Sequence, residues 1–123
     1  MVAYGGSMSG PQSMQQLRAR HAQRRLPRSG ELEGLPVLIR TQGLLPALMM
    51  TLPGEGRAAV DAITDWLLRE WPQRPFKGSS GGGVRDLVDQ YTRLSTLEAA
   101  AVDREAVQYA STLKMLVRLA REY

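Results

Sequence analysis

Along most of the chain, apolar residues return every three or four positions, the period of a helix with one buried face. No stretch shows the strict alternation of a half-buried strand. Ser13 and Gln16 stand at the spacing of a capping box, in which a serine oxygen and a glutamine side chain satisfy orphan amides. The helix they open is predicted to run to about Leu26, because Pro27 disfavours helical geometry in the residue before it. Residues 31 to 42 read as a short helix that tolerates Pro36 only near its start. Gly43 is expected to end it in the left-handed conformation, without a Cβ penalty, and a new helix starts at once with Pro46 in its first turn.

That break disposes of a membrane span. LPVLIRTQGLLPALMMTL is long enough to cross a bilayer, but Arg40, Thr41, Gln42 and Gly43 sit at its centre, with no counter-charge nearby. The run is predicted to be two short helices at the centre of a core. Residues 57 to 71 give the clearest helix, with Val60, Ile63, Leu67 and Trp71 as its buried stripe. A loop follows over residues 73 to 83, ending in the Gly- and Ser-rich residues 78 to 83. Residues 84 to 94 return to a helix with Val84, Leu87, Val88, Tyr91 and Leu94 in register. Ser95 and Glu98 form a second capping box. It opens the last segment, either one helix or two with a break near Asp103. The end of that segment is expected to bury Ala106, Tyr109, Ala110, Leu113, Leu116, Val117 and Ala120. The fold class is therefore all-α: a single-domain bundle of about six helices over residues 13 to 123, preceded by a flexible leader, residues 1 to 12.

Composition narrows the chemistry. At 123 residues the chain is one domain by length, and 43% hydrophobic residues suffice for a core. There is no cysteine, which removes disulfides, thiolate catalysis and sulfur-based zinc sites. The first residues lack the charged start and apolar run of a secretory signal, so a cytoplasmic protein is the default. The net charge of +4 is concentrated towards the two ends of the chain.

Candidate catalytic groups are few. His21 is the only histidine, short of partners for a metal site or a triad, and reads as a surface residue of an arginine-rich helix. Asp61 and Asp65 share a helix face, as a Mg²⁺ pair would. With Arg57 and Arg69 they instead complete a four-residue ladder that neutralises itself at the surface. Arg85, Asp89 and Arg93 repeat it. The glycines before Val84 lack the lysine of a phosphate-binding P-loop. The expectation is a chain that is no enzyme and takes no cofactor, metal or small-molecule ligand.

Binding features are clearer. Arg20, Arg24 and Arg28 line up at spacings of four, and Lys114, Arg118 and Arg121 form a narrow stripe on the last helix. Neither stripe is interleaved with acids as the ladders are, which suits a phosphate backbone read without base specificity. A merely soluble basic surface accounts for the same charges. Met115 and Leu119 point away from the buried stripe and suit contact with another subunit.

With these elements placed, three stretches resemble, in order, a known family. MQQLRARHAQRRL is similar to a basic first helix rich in Q-R with an alanine–histidine pair. LPVLIRTQGLLPAL resembles a central helix–break–helix, with Gln42 where that family has asparagine. DREAVQYASTLKMLVRLAREY resembles its C-terminal segment, with M-L-V-R-L where W-L-K-R-F is usual. The family is the small α-helical subunit of type III-B CRISPR effector complexes, the Cmr complexes. The resemblance implies a non-catalytic subunit that stacks with further copies along a crRNA-bound filament. It would touch the backbone subunits and help hold target RNA. Small subunits of type III-A or type I complexes, and a helical adaptor that binds only protein, are the alternatives.

Overall fold

The end of the first basic helix and the middle of the last one are joined inside the protein, and the other described helices pack around this pair. The computed structural model describes residues 13–26, 34–53, 56–76 and 82–122. Within them lie α1 (Met14–Arg24), α2 (Leu35–Gln42), α3 (Leu44–Thr51), α4 (Arg57–Asp65), α5 (Val84–Tyr91) and α6 (Thr96–Glu122). The arrangement is an all-α single-domain bundle with no strand among the described residues. Residues 1 to 12, Arg28 and most of the glycine-rich loop, residues 78 to 81, lie outside the described residues.

Both capping boxes form. The Gln16 amide donates to Ser13 Oγ while the Ser13 amide donates to the Gln16 side chain, at 3.1 and 2.8 Å. Ser95 and Glu98 repeat this reciprocal pair at 3.1 and 3.0 Å. From Thr96 the chain runs unbroken for 27 residues, so no interruption occurs near Asp103.

Gly43 stands between α2 and α3 at φ 92°, ψ 164°. This is the extended region at positive φ that only glycine enters cheaply, rather than the left-handed helical cap. The amide of Gly43 still closes α2 onto the Ile39 carbonyl at 2.8 Å. Pro36 and Pro46 both fall in first turns, where no intrahelical acceptor is lost. Leu35, Ile39, Leu44, Ala47 and Leu48 are all buried, so the greasy run around the break does supply much of the core.

In α4 and the turn that continues it, Val60, Ile63 and Leu67 are fully buried, and Trp71, just beyond, nearly so. One feature of this helix has no counterpart in the periodicity. After Asp65 it widens into a π-helical turn, Trp66–Glu70, closed by the Trp71 amide on the Trp66 carbonyl at 2.8 Å. The wide turn brings Trp66, Leu67 and Leu68 into the interior together. The α6 stripe holds through Ala106, Tyr109, Ala110, Leu113 and Val117, but Ala120 is exposed, because the other helices do not cover the last turns. No described helix is long and apolar enough to cross a membrane.

Candidate nucleic-acid interface

The face of α1 that turns inward carries Met14, Leu17, Arg18, His21 and Ala22, and it packs along α6. Arg18 donates from Nε and Nη2 to the two oxygens of Glu105, at 2.6 and 2.8 Å. Glu105 also accepts from the Trp66 indole at 2.9 Å, so one carboxylate ties α1, the π turn and α6 together. The guanidinium is held charged by this hydrogen bond and by the Glu105 charge, against the effect of burial.

His21 is not the surface residue expected from its arginine-rich neighbours: it is 2% exposed. Its Nε2 lies 2.7 Å from Asp65 Oδ2 and its Nδ1 lies 2.5 Å from the Tyr109 hydroxyl. An ionised carboxylate offers acceptors only, so Nε2 carries the proton and Nδ1 accepts from the tyrosine. Burial holds the imidazole below its usual pKa of 6.5, outweighing the pull of the Asp65 carboxylate. The ring also makes edge contacts with Trp66 and Tyr109, which stack on each other with centroids 5.5 Å apart.

Asp65 likewise departs from the surface ladder. It is 8% exposed and gathers His21, Arg25 (3.2 Å) and Arg69 (2.8 Å). Burial alone would raise its pKa; the His21 hydrogen bond and the two guanidiniums reverse that and leave it below the usual 3.8. The ladder geometry itself survives in the Arg69–Asp65 pair, but the carboxylate faces inward, because α1 and α6 close over that side of α4. Asp61 and Arg57 stay exposed. On α5, Arg93 and Asp89 pair at 3.0 Å in solvent, as the spacing predicts. Among the described residues, no three His, Asp or Glu side chains gather as a metal site would require.

The predicted basic residues are distributed as follows. Arg20 and Arg24 are exposed on α1; Arg118 and Arg121 are exposed on α6, with Lys114 half-buried one turn before them. Arg24 approaches Glu70 of the π turn at 4.0 Å, so the α1 stripe is not free of acids. The neighbour comes from another helix, which spacing along α1 cannot reveal. Met115 and Leu119 are 49% and 47% exposed, on the outer side of α6 as their phase requires.

Two cations that belong to neither predicted stripe are placed prominently. Arg40 of α2 and Arg104 of α6 are exposed and line a shallow groove of about 320 Å³ with Ile39, Gly43 and Val107. No residue three or four positions away from either is acidic, a signal that was available in the sequence.

Comparison of the chain with protein families, curated proteins and solved structures finds no match.

Proposed function

We propose that this chain is a non-catalytic small subunit of a CRISPR ribonucleoprotein effector of type III-B, binding RNA through exposed basic helix faces. The observation that carries the reading is where the resembling stretches sit. His21 and Ala22, then Leu35, Ile39 and Leu44, then Tyr109, Ala110 and Leu113 are interior residues that pack against one another. The three stretches are thus three parts of one core, and a shared core is what a shared fold would keep. The outward faces of the same helices carry Arg20, Arg24, Arg118 and Arg121. Phosphate contacts from such faces position a strand without reading its bases.

A non-catalytic role is supported by the fate of the only histidine. Both its ring nitrogens are occupied within the core, where no substrate reaches. The partners proposed are the backbone subunits of the Cmr complex, further copies of this chain, crRNA and target RNA, and the setting is the cytoplasm.

Co-purification with the other Cmr subunits and a guide RNA is the deciding experiment. In the assembled complex, changing Lys114, Arg118 and Arg121 to Glu should cripple target-RNA binding in a filter assay. The fold should survive, since Arg118 and Arg121 are exposed, Lys114 only flanks the buried stripe, and exposed substitutions change stability by only ~0.5 kcal/mol. A triple variant that assembles and holds target RNA as tightly as wild type at moderate salt would make the stripe solvent-facing decoration. Met115→Gln with Leu119→Gln should instead weaken incorporation while RNA contacts persist. If only protein partners are retained and RNA never is, the helical adaptor is the correct reading.

A further inference from the structure

The groove under Arg40 and Arg104 does not end at Arg104. On the other side of that residue lies a second shallow groove, of about 450 Å³, bounded by Arg18, Gln73, Trp71 and Glu105. Arg104 and Gln108 belong to both, forming a ridge between them across the middle of α6. The track is therefore assembled from α1, α2, α6 and the segment after the π turn, far from the predicted stripe at the end of α6.

We propose that single-stranded RNA crosses the bundle along these two grooves, with its phosphates on Arg40 and Arg104. This inference rests on the RNA-binding reading above and adds to it a place that the reading did not contain.

The charge supports it. Among the described residues, neither Arg40 nor Arg104 is paired with an acid. Of the two acids at the rims only Glu105 is neutralised, so Arg40, Arg104 and Asp103 leave the first groove with one net positive charge. Glu105 is taken by Arg18 and Trp66, and Asp103 accepts from the Tyr91 hydroxyl at 2.8 Å. Arg18 uses two of its five N–H donors on Glu105, which leaves others for a ligand. Gln73 and Gln108 add neutral amide donors that suit phosphate and sugar oxygens.

The shape selects the strand type. Both volumes fall in the range of small-ligand sites, roughly 300–1,000 Å³, so each suits a nucleotide rather than a helix. A duplex is a stiff rod over so short a span and cannot dip on either side of a ridge. A single strand can. The half-buried Val107 gives the first groove an apolar wall that offers a surface to a base without base-specific donors.

The test uses the full chain and a fluorescently labelled oligouridylate, with anisotropy measured across a salt series. Wild type should bind at low salt with a log–log slope of about −0.7 per phosphate neutralised. Arg40→Gln with Arg104→Gln should weaken binding about tenfold or more and make the slope shallower by roughly 1.4, the share of two contacts. Arg40→Lys with Arg104→Lys keeps the charge and should keep most of the slope, a readout that damage to the fold would not give. Excess duplex RNA should compete poorly.

If wild type binds and the glutamine variant matches it in affinity and slope, the track is wrong while RNA binding stands. If wild type does not bind at low salt, the RNA-binding reading falls and this inference falls with it. If the glutamine variant keeps RNA but loses assembly with the other Cmr subunits, the grooves seat protein, and the proposal is overturned.

Discussion

His21 Nε2 and Asp65 Oδ2 meet at 2.7 Å inside the bundle, 44 residues apart in sequence. The contact joins α1 to α4, and through the other ring nitrogen it reaches Tyr109 on α6. Three helices are thus held in register by one imidazole and one carboxylate. Groups buried this way favour a single arrangement strongly, because any slip strands a donor or a charge without a partner.

Removing the carboxylate should therefore be costly. Asp65→Ala leaves the His21 N–H and two guanidiniums without their acceptor and is expected to lower stability by about 3 kcal/mol. Asp89→Ala, which removes only the exposed partner of Arg93, should cost less than ~0.5 kcal/mol. Urea denaturation followed by circular dichroism separates the two. Equal losses would mean that the buried cluster does not hold the helices.

The same cluster sets the response to acid. Below pH 6.5 the unfolded chain protonates its histidine while the folded one, with His21 held lower by burial, does not. Folding stability therefore falls as the pH drops through 6.5 and levels off below the folded value. A second loss begins below 3.8, because the contribution of Asp65 is present above that value and disappears as its lowered folded pKa is passed. His21→Gln should erase the first loss and keep the second, which stability curves at a series of pH values would resolve.

Alkali acts from the other side. Desolvation and the hydrogen bond to Asp103 push the Tyr91 hydroxyl up to about 12, and burial raises Tyr109 as well. Between 10 and that value the unfolded chain releases protons that the folded chain keeps, so stability declines as the pH rises above 10. Tyrosine absorbance should show these two groups titrating well above the usual 10 while the protein stays folded.

Thr64 gives a prediction of opposite sign. Its hydroxyl oxygen is buried and finds no hydrogen-bond partner among the described residues. Valine has the same branched shape without the polar atom, so Thr64→Val is expected to stabilise the protein by about 1 kcal/mol. A lower melting temperature for this variant would show that the hydroxyl is satisfied, by water or otherwise.

At Gly43 the cost of a side chain is conformational. A Cβ there would meet nothing nearer than Pro46 Cδ at 3.8 Å, yet φ is 92°. Gly43→Ala should cost about 2 kcal/mol through the backbone alone. Thermal unfolding checks it, and a neutral result would mean that the α2–α3 corner relaxes.

Local chemistry was readable in the sequence wherever a signal lay within four residues. The capping boxes at Ser13 and Ser95, the corner at Gly43 and the stripe from Val60 to Leu67 are of this kind. Distant pairing was not. Arg18 and Glu105 are separated by 87 residues and His21 and Tyr109 by 88, so nothing near either partner announces the other. His21 could have been placed better, since it continues the inward phase of Met14 and Leu17, but its charged neighbours outvoted that phase. The widened turn after Asp65 leaves no mark in a period of three or four. Arg24 shows the same limit for binding residues: its uncompensated look dissolves once Glu70 is folded beside it.

That widened turn lies at the end of a run, residues 62 to 68, in which every side chain is buried. A helix enclosed on all sides has no face from which water can peel it. Amides exchange with solvent only when the structure around them opens, and those shut in most completely wait for the whole molecule to unfold. The backbone protons of Trp66, Leu67 and Leu68 should thus be the last to exchange with deuterium, while those at the uncovered end of α6 go early. The centre of this protein would then serve as its own clock, its slowest protons counting how often the entire bundle comes apart.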